Sequence, residues 1–317
     1  MTVFLHSIRT SAASLTPLDQ LRGQCPDRAL ETLIADGLSS FAQSDVGIAE
    51  MIFQAVSATL AASALAPSAL DALILVTESF WDVGATIDDH KKVAAFRDGI
   101  LRRAILELSL TNAQVYGSWA GACGNLIPAL SIAKALVSSG QVRNALIVVA
   151  DRLHPAASRL MASGTTICSD LAAAAIVDTQ QTGFMIDHLV VDPSINILSS
   201  RNDGNFLLHA RDLRRGIRNL DQKVSRICGR HLREFDFLVA EGFGEAIIKL
   251  LCDGLGLERD KILCPGRALY SHPFSADILV SLGLLESTNQ MKAKPRFAAI
   301  SLSTWLLAAA TFVPCEA

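Results

Sequence analysis

Apolar runs of strand length alternate with amphipathic stretches of helix length along the chain. Thr2–Ile8 reads as a strand, Val46–Ala64 as a helix and Ala72–Thr77 as a buried strand. Asp98–Leu108 reads as a helix with a basic face at Arg102 and Arg103. Gln114–Ser118 is a strand and Leu126–Ser138 a helix, and Arg143–Ala150 is apolar enough for a strand buried on both faces. Leu171–Val177 and Phe184–Val191 read as a strand pair. The polar, turn-rich Asp192–Asn205 reads as a mobile connection. The second half repeats the logic, with a long helix at Asp212–Arg233, a strand at Phe235–Ala240 and a helix at Gly244–Leu255. A helix at Ser275–Glu286 takes Ser275 as its N-cap, and Arg296–Leu302 with Leu306–Val313 forms a last strand pair. Two halves of this kind imply an α/β protein with internal duplication around a mixed sheet.

Composition narrows the class. The chain has 317 residues, half of them apolar, which is enough for a large core. A net charge of -3 and a pI near 6.2 leave no basic footprint for nucleic acid. The longest apolar runs, such as Leu306 to Val313, are too short to span a membrane. The start, Met1 to His6, has no basic region ahead of its apolar residues and does not read as a signal peptide. Seven cysteines without CxxC or regular spacing fit a reduced, cytoplasmic chain with no metal centre.

Candidate chemistry centres on Cys123. The segment Val115-Tyr116-Gly117-Ser118-Trp119-Ala120-Gly121-Ala122-Cys123-Gly124-Asn125 runs from strand through a small-residue turn to a helix. A thiol at a helix N-terminus meets unpaired N–H groups and the helix dipole, which lower its pKa and activate it. A buried, inert cysteine is the alternative. Cys168 reads as core, and Cys25, Cys228, Cys252, Cys264 and Cys315 carry no motif. His154 and His90 read as loop or surface residues. The charged Asp88–Arg103 stretch reads as a solvated face, with the wall of a substrate pocket or a subunit contact as alternatives.

Four further segments complete a pattern: Gln141 to Asp151, Ser169-Asp170-Leu171-Ala172, Glu241-Gly242-Phe243-Gly244 and Ser271-His272-Pro273-Phe274-Ser275-Ala276-Asp277. Their order and the Ala122-Cys123 turn resemble the thiolase superfamily, and within it ketoacyl-ACP synthase III, over nearly the whole chain. The resemblance implies a five-layered αβαβα sandwich of two duplicated halves, residues 1–178 with the nucleophile and 179–317 with the His-Asp pair. It also implies a dimer, and an acyl group carried as a thioester on Cys123. In that family a His-Gln-Ala-Asn histidine and a Gly-Asn-Thr-Ser asparagine promote decarboxylation. Glu241 and His272 stand in their places. Ser303-Thr304-Trp305 replaces the glycine turn that completes the oxyanion hole.

His272 followed by Asp277 resembles instead an acyltransferase subgroup of antibiotic pathways. These enzymes combine a cysteine or serine with such a pair and move acyl groups to oxygen, nitrogen or thiol acceptors. The chemistry of the residues agrees, because a nucleophile needs a base and the base an orienting group. Cys123, His272 and Asp277 are the expected catalytic residues, with Thr304 or Trp305 near the oxyanion. Phe80 and Trp81, at a strand end, line an acyl channel or the core. Glu241 reads as a second base, as a charge that repels malonyl carboxylates, or as a vestige.

Relatives carry a CoA-binding arginine where this chain has Ala246, so a carrier-protein donor is at least as consistent as acyl-CoA. The basic cluster Arg211 to Arg218 offers an acidic carrier a docking face, or is a solvated helix face. No cofactor beyond the thioester is expected, and the partner is a second copy or a homologue. A non-standard condensing enzyme and a non-catalytic partner subunit are the alternatives.

Overall fold

The fold is taken from a computed structural model that describes residues 1–82, 89–161, 164–202, 206–288 and 295–315. In the first half the strands are β1 (Phe4–Thr10), β2 (Ser14–Pro17), β3 (Ser40–Gln43), β4 (Ala72–Val76), β5 (Gln114–Ser118), β6 (Ala145–Asp151) and β7 (Leu171–Asp178). The helices there are α1 (Asp27–Ala35), α2 (Ile48–Ser63), α3 (Asp89–Leu101) and α4 (Leu126–Ser138). The second half has β8 (Phe184–Pro193), β9 (Phe237–Ala240), β10 (Ile262–Leu263), β11 (Phe297–Leu302) and β12 (Leu306–Pro314). Its helices are α5 (Ile195–Asn202), α6 (Phe206–Cys228), α7 (Glu245–Leu255), α8 (Arg267–Tyr270) and α9 (Asp277–Ser287).

The main sheet runs β10-β9-β11-β12-β8-β1-β7-β6-β4-β5 among the described residues. From β1 outward the pairings are antiparallel, antiparallel, parallel and parallel. From β8 outward the same series recurs. The two series meet at only two residue pairs, Phe4↔Met185 and Leu5↔Phe184. This topology corrects one reading of the sequence. Leu171–Asp178 and Phe184–Pro193 are not partners, because β1 lies between them. Strands adjacent in sequence usually pair, but here the N-terminal strand takes the place.

Helices α4 and α9 lie between the two halves of the sheet. Leu126, Ile127, Leu130 and Ala133 of α4 share one core with Ile278, Leu279 and Leu282 of α9. On the outer faces, α2 and α3 cover the first half of the sheet, while α6 and α7 cover the second. The alanines of β7 admit α2 closely enough for the Thr59 hydroxyl to donate to the Ala174 carbonyl at 3.1 Å.

Other boundaries moved for local reasons. The expected helix 98–108 begins at Asp89 and passes into a π-helical turn at Arg102–Glu107. There Arg103 pairs with Glu50 and Glu107 and lies over the Phe53 ring, so it is an anchor to α2, unlike the exposed Arg102. The long helix ends at Cys228, where Gly229 takes φ +72°. The expected loop 192–205 instead continues β8 and forms α5 as far as Asn202. Asp88 and the side chains of Asp89 and His90 lie outside the described residues. No helix among the described residues is long and apolar enough to cross a membrane.

Candidate active site

Cys123 follows the outermost strand of the first half, and His272 follows the outermost strand of the second. Each then leads into a central helix, α4 or α9, so the duplicated fold delivers both side chains to one place.

Cys123 sits within a 3₁₀ turn, Ala122–Asn125, and α4 begins only at Leu126. Ala122 has φ +49°, a left-handed conformation costly for a residue with a Cβ. The turn is held on several sides. The Ala122 N–H donates to Glu78, and the Ser275 hydroxyl donates to the Ala122 carbonyl at 2.9 Å. The Gly121 N–H donates to Asn125 Oδ1 at 2.7 Å. A Cβ on Gly124 would come within 2.9 Å of the Leu306 side-chain tip, so the turn packs closely on that residue. Ser275 therefore secures the nucleophile turn and does not cap α9, whose N-cap position is Ala276 without a side-chain bond.

His272 is completely buried, on a strained loop where Ser271 has φ +50°. Its N–H donates to the Ile167 carbonyl, its carbonyl accepts from the Ser169 N–H, and the Phe243 ring stacks on the imidazole at 4.8 Å. Nε2 lies 3.4 Å from the Cys123 Sγ, and Nδ1 lies 2.7 Å from Asp277 Oδ2. That oxygen also accepts the Gly242 N–H at 2.7 Å.

The electrostatics differ from the helix-dipole expectation. Burial pushes the Cys123 thiol up, with Glu241 and Glu78 adding to the rise and His272 opposing it. The dipole of α4 is outweighed because removing a thiolate from water costs more than one turn of N–H groups returns. Burial opposes charge on His272, but the Cys123 sulfur and the Asp277 carboxylate outweigh it and hold the imidazole well above its ordinary range.

Glu241 is buried beside this cluster. Its Oε2 accepts the Leu302 N–H at 2.9 Å, and its Oε1 lies 2.6 Å from the Ser301 hydroxyl. Burial, opposed by His272 and reinforced by Asp277, pushes its carboxyl up to about 8. The 303–305 turn packs on Gly124, and the Trp305 indole N–H donates to the Ala120 carbonyl at 2.9 Å. Phe80 packs edge-on against Phe96 and Trp119 near the nucleophile strand. Trp81 instead packs on His154 beneath the Arg152 guanidinium. Cys168 is buried and abuts His272 through a backbone bridge.

Glu78 and Ser301 carry no sequence motif, and Ser275 was expected to cap its helix, so none of the three was expected at the site. For Glu78 a signal was present, an acidic residue one position past a buried strand end. Beside Ala246, Arg259 and Arg267 are both committed to Glu245, at 2.7 and 2.6 Å.

The family model for 3-oxoacyl-[acyl-carrier-protein] synthase III matches residues 119–192. The beta-ketoacyl-[acyl-carrier-protein] synthase III of Neorickettsia sennetsu is 25% identical over 187 residues, which span 56% of this chain and 60% of that relative. The acyltransferase ChlB3 superposes with a TM-score of 0.80 at 15% identity, covering 100% of this chain and 98% of its own. The 3-oxoacyl-[acyl-carrier-protein] synthase III of Aquifex aeolicus superposes with a TM-score of 0.74 at 17% identity, covering 98% and 99%.

Proposed function

We propose that this chain, which is similar to ketoacyl-ACP synthase III over its nucleophile region and shares the fold of those enzymes, is a cysteine-dependent acyltransferase. The observation that carries this reading is the continuous contact Cys123 Sγ–His272 Nε2–Asp277 Oδ2, at 3.4 and 2.7 Å. Nε2 of His272 takes the thiol proton, and the Cys123 sulfur attacks the carbonyl of an acyl thioester. The leaving thiolate recovers that proton, and an acyl-cysteine remains. An acceptor hydroxyl, amine or thiol then gives a proton to Nε2 as it attacks, and Cys123 is released. The oxyanion is met by the Cys123 N–H and a donor of the 304–305 turn, and Asp277 holds the proton of His272 on Nδ1.

A carrier-protein thioester fits the donor better than free acyl-CoA. Both arginines beside Ala246 are neutralised by Glu245, whereas Arg215 and Arg218 on α6 are exposed and have no ion-pair partner among the described residues. Helix α6 reaches the site through Gly216, which packs on Ser194. The Ser194 N–H in turn donates to the Trp305 carbonyl.

We propose a subunit contact on β5, the outermost strand of its half, where Val115 is 44% exposed and Trp119, just past the strand end, 58%. Decarboxylating condensation is the second reading, favoured by the synthase III match over the nucleophile region.

Intact-protein mass spectrometry after incubation with acyl-CoA and acyl-carrier thioesters tests the function. An adduct lost in Cys123→Ala supports acyl transfer, and its mass gives the acyl group. Release of CO₂ from a malonyl donor favours condensation.

A further inference from the structure

We propose that Glu241 is a positioning residue that works as the neutral acid, and that through Ser301 it holds the backbone of the Cys123 turn. The geometry is a branch point. The Ser301 hydroxyl, 1% exposed, lies 2.6 Å from Glu241 Oε1 and 3.4 Å from the Cys123 carbonyl oxygen. It has one proton and two acceptors within reach.

When Glu241 is ionised, both of its oxygens accept. The Ser301 proton then points at Oε1 and the Cys123 carbonyl loses its donor. When Glu241 is protonated, its own O–H donates to Ser301 Oγ, and the Ser301 proton is free to reach the Cys123 carbonyl. The Leu302 N–H donates to Oε2 in either state. Only the neutral acid completes a directed chain from β11 to the nucleophile.

The surroundings favour that state. Glu241 is 1% exposed, and no arginine or lysine pairs with it among the described residues. The charged groups that face it are Asp277 and His272 from the α9 side and Cys123 from the nucleophile turn, whose sulfur also feels Glu78. The His272 imidazole, when charged, attracts a carboxylate at Glu241, but burial together with Asp277 outweighs it, and an ionised Glu241 also opposes formation of the thiolate.

The proposal rests on Cys123 being the acylated nucleophile, but the alkylation arm of its test does not need a donor. Alkylation of Cys123 by iodoacetamide is followed by mass from about pH 6 to 10 in wild type, E241Q, E241A and S301A, with Cys123→Ala as the site control. In wild type the profile spreads over more than one pH unit, because the thiol titrates against Glu241 and the other groups coupled to it. E241Q, whose amide donates to Ser301 as the protonated acid does, gives a narrower profile at lower pH, because one of the groups coupled to the thiol no longer titrates. E241A and S301A lower the rate of acylation by a thioester about tenfold, the equivalent of one buried hydrogen bond, and E241Q recovers most of the loss caused by E241A. An E241Q profile superimposable on wild type overturns the proposal, as does E241Q acylation as slow as that of E241A. If no variant, and not wild type, forms an acyl adduct while the alkylation profiles still separate, the acyl-transfer reading fails and the role of Glu241 in the Cys123 turn stands.

Discussion

Glu78 and Glu241 stand just beyond the ends of corresponding strands, β4 and β9, in the two halves of the sheet, and both face the nucleophile turn. Burial pushes Glu78 up to about 7 and Glu241 up to about 8. Asp151, whose Oδ2 is buried without a hydrogen-bond partner, is pushed up to about 6. A carboxyl raised on folding binds more protons in the folded than in the unfolded chain, so stability falls as pH rises from the unfolded value through the folded one. The melting temperature is therefore expected to fall between about pH 5 and 8. For Glu241, which is fully buried, the loss is on the order of 2–4 kcal/mol at about 1.4 kcal/mol per unit. Scanning calorimetry of Glu241→Gln against wild type checks this: the variant gains most at pH 8 and little at pH 5. Equal gain at both pH values would show that Glu241 titrates no differently on folding.

Asp277 supports His272 with the same oxygen that binds the Gly242 N–H. Asp277→Asn removes the charge that holds the imidazole up and leaves an amide beside Nδ1. The expected loss in the rate of acyl-enzyme formation is about 10²–10⁴-fold, as for other triads without their carboxylate. Single-turnover mass spectrometry measures it, with near-ultraviolet circular dichroism to confirm packing. An acylation rate equal to wild type would remove Asp277 from the mechanism.

Gly242 is irreplaceable for a reason of space. A Cβ there would lie 1.8 Å from the Ser271 carbonyl oxygen, which is backbone and has nowhere to move. Gly242→Ala should push apart the Glu241 strand end and the His272 loop at a cost of roughly 2–4 kcal/mol. Thermal denaturation checks this against Gly256→Ala, a site with φ +67° and open space, where backbone strain alone acts. A smaller loss at Gly242 than at Gly256 would contradict the account.

Much of this arrangement was legible in the residues. The limits of Gln114–Ser118 and Leu126–Ser138 follow from apolar periodicity and agree with the structure. So does the convergence of Cys123, His272 and Asp277, because the order of segments matches a known fold. What was not legible depends on distant contacts. The insertion of β1 between β7 and β8 is decided by pairings across 170 residues, visible as Phe4↔Asp178. The rise of the Cys123 thiol reflects enclosure by groups from several segments, which overrides the local helix-terminus argument. Ser301 acts through hydrogen bonds that leave no trace in composition or spacing.

The exposed face of β5 makes a prediction about assembly. Val115→Asp places a charge on an unpaired strand edge and should leave a monomer where wild type is a dimer, as sedimentation velocity would show. If Val115→Asp and wild type sediment alike as dimers, the contact lies elsewhere.

The arginines of α6 separate the two donor classes. Arg211, Arg215 and Arg218 recur at spacings of four and three, so they share one exposed helix face, while Arg214 turns toward Asp253. An acidic carrier protein gains association rate from such a stripe, and that gain is screened by salt. A small pantetheine thioester gains almost nothing. The double substitution R215E/R218E should thus lower acylation by a carrier-bound donor about tenfold or more at low ionic strength, mostly through KM. Acylation by the same acyl group on pantetheine should stay within about twofold, since neither arginine contacts the Cys123 cluster. Raising salt should shrink the difference between the variant and wild type. Equal loss with both donors would mean the substitutions disturb α6 itself, and no loss with either would return α6 to an ordinary solvated face and leave the donor class to other residues.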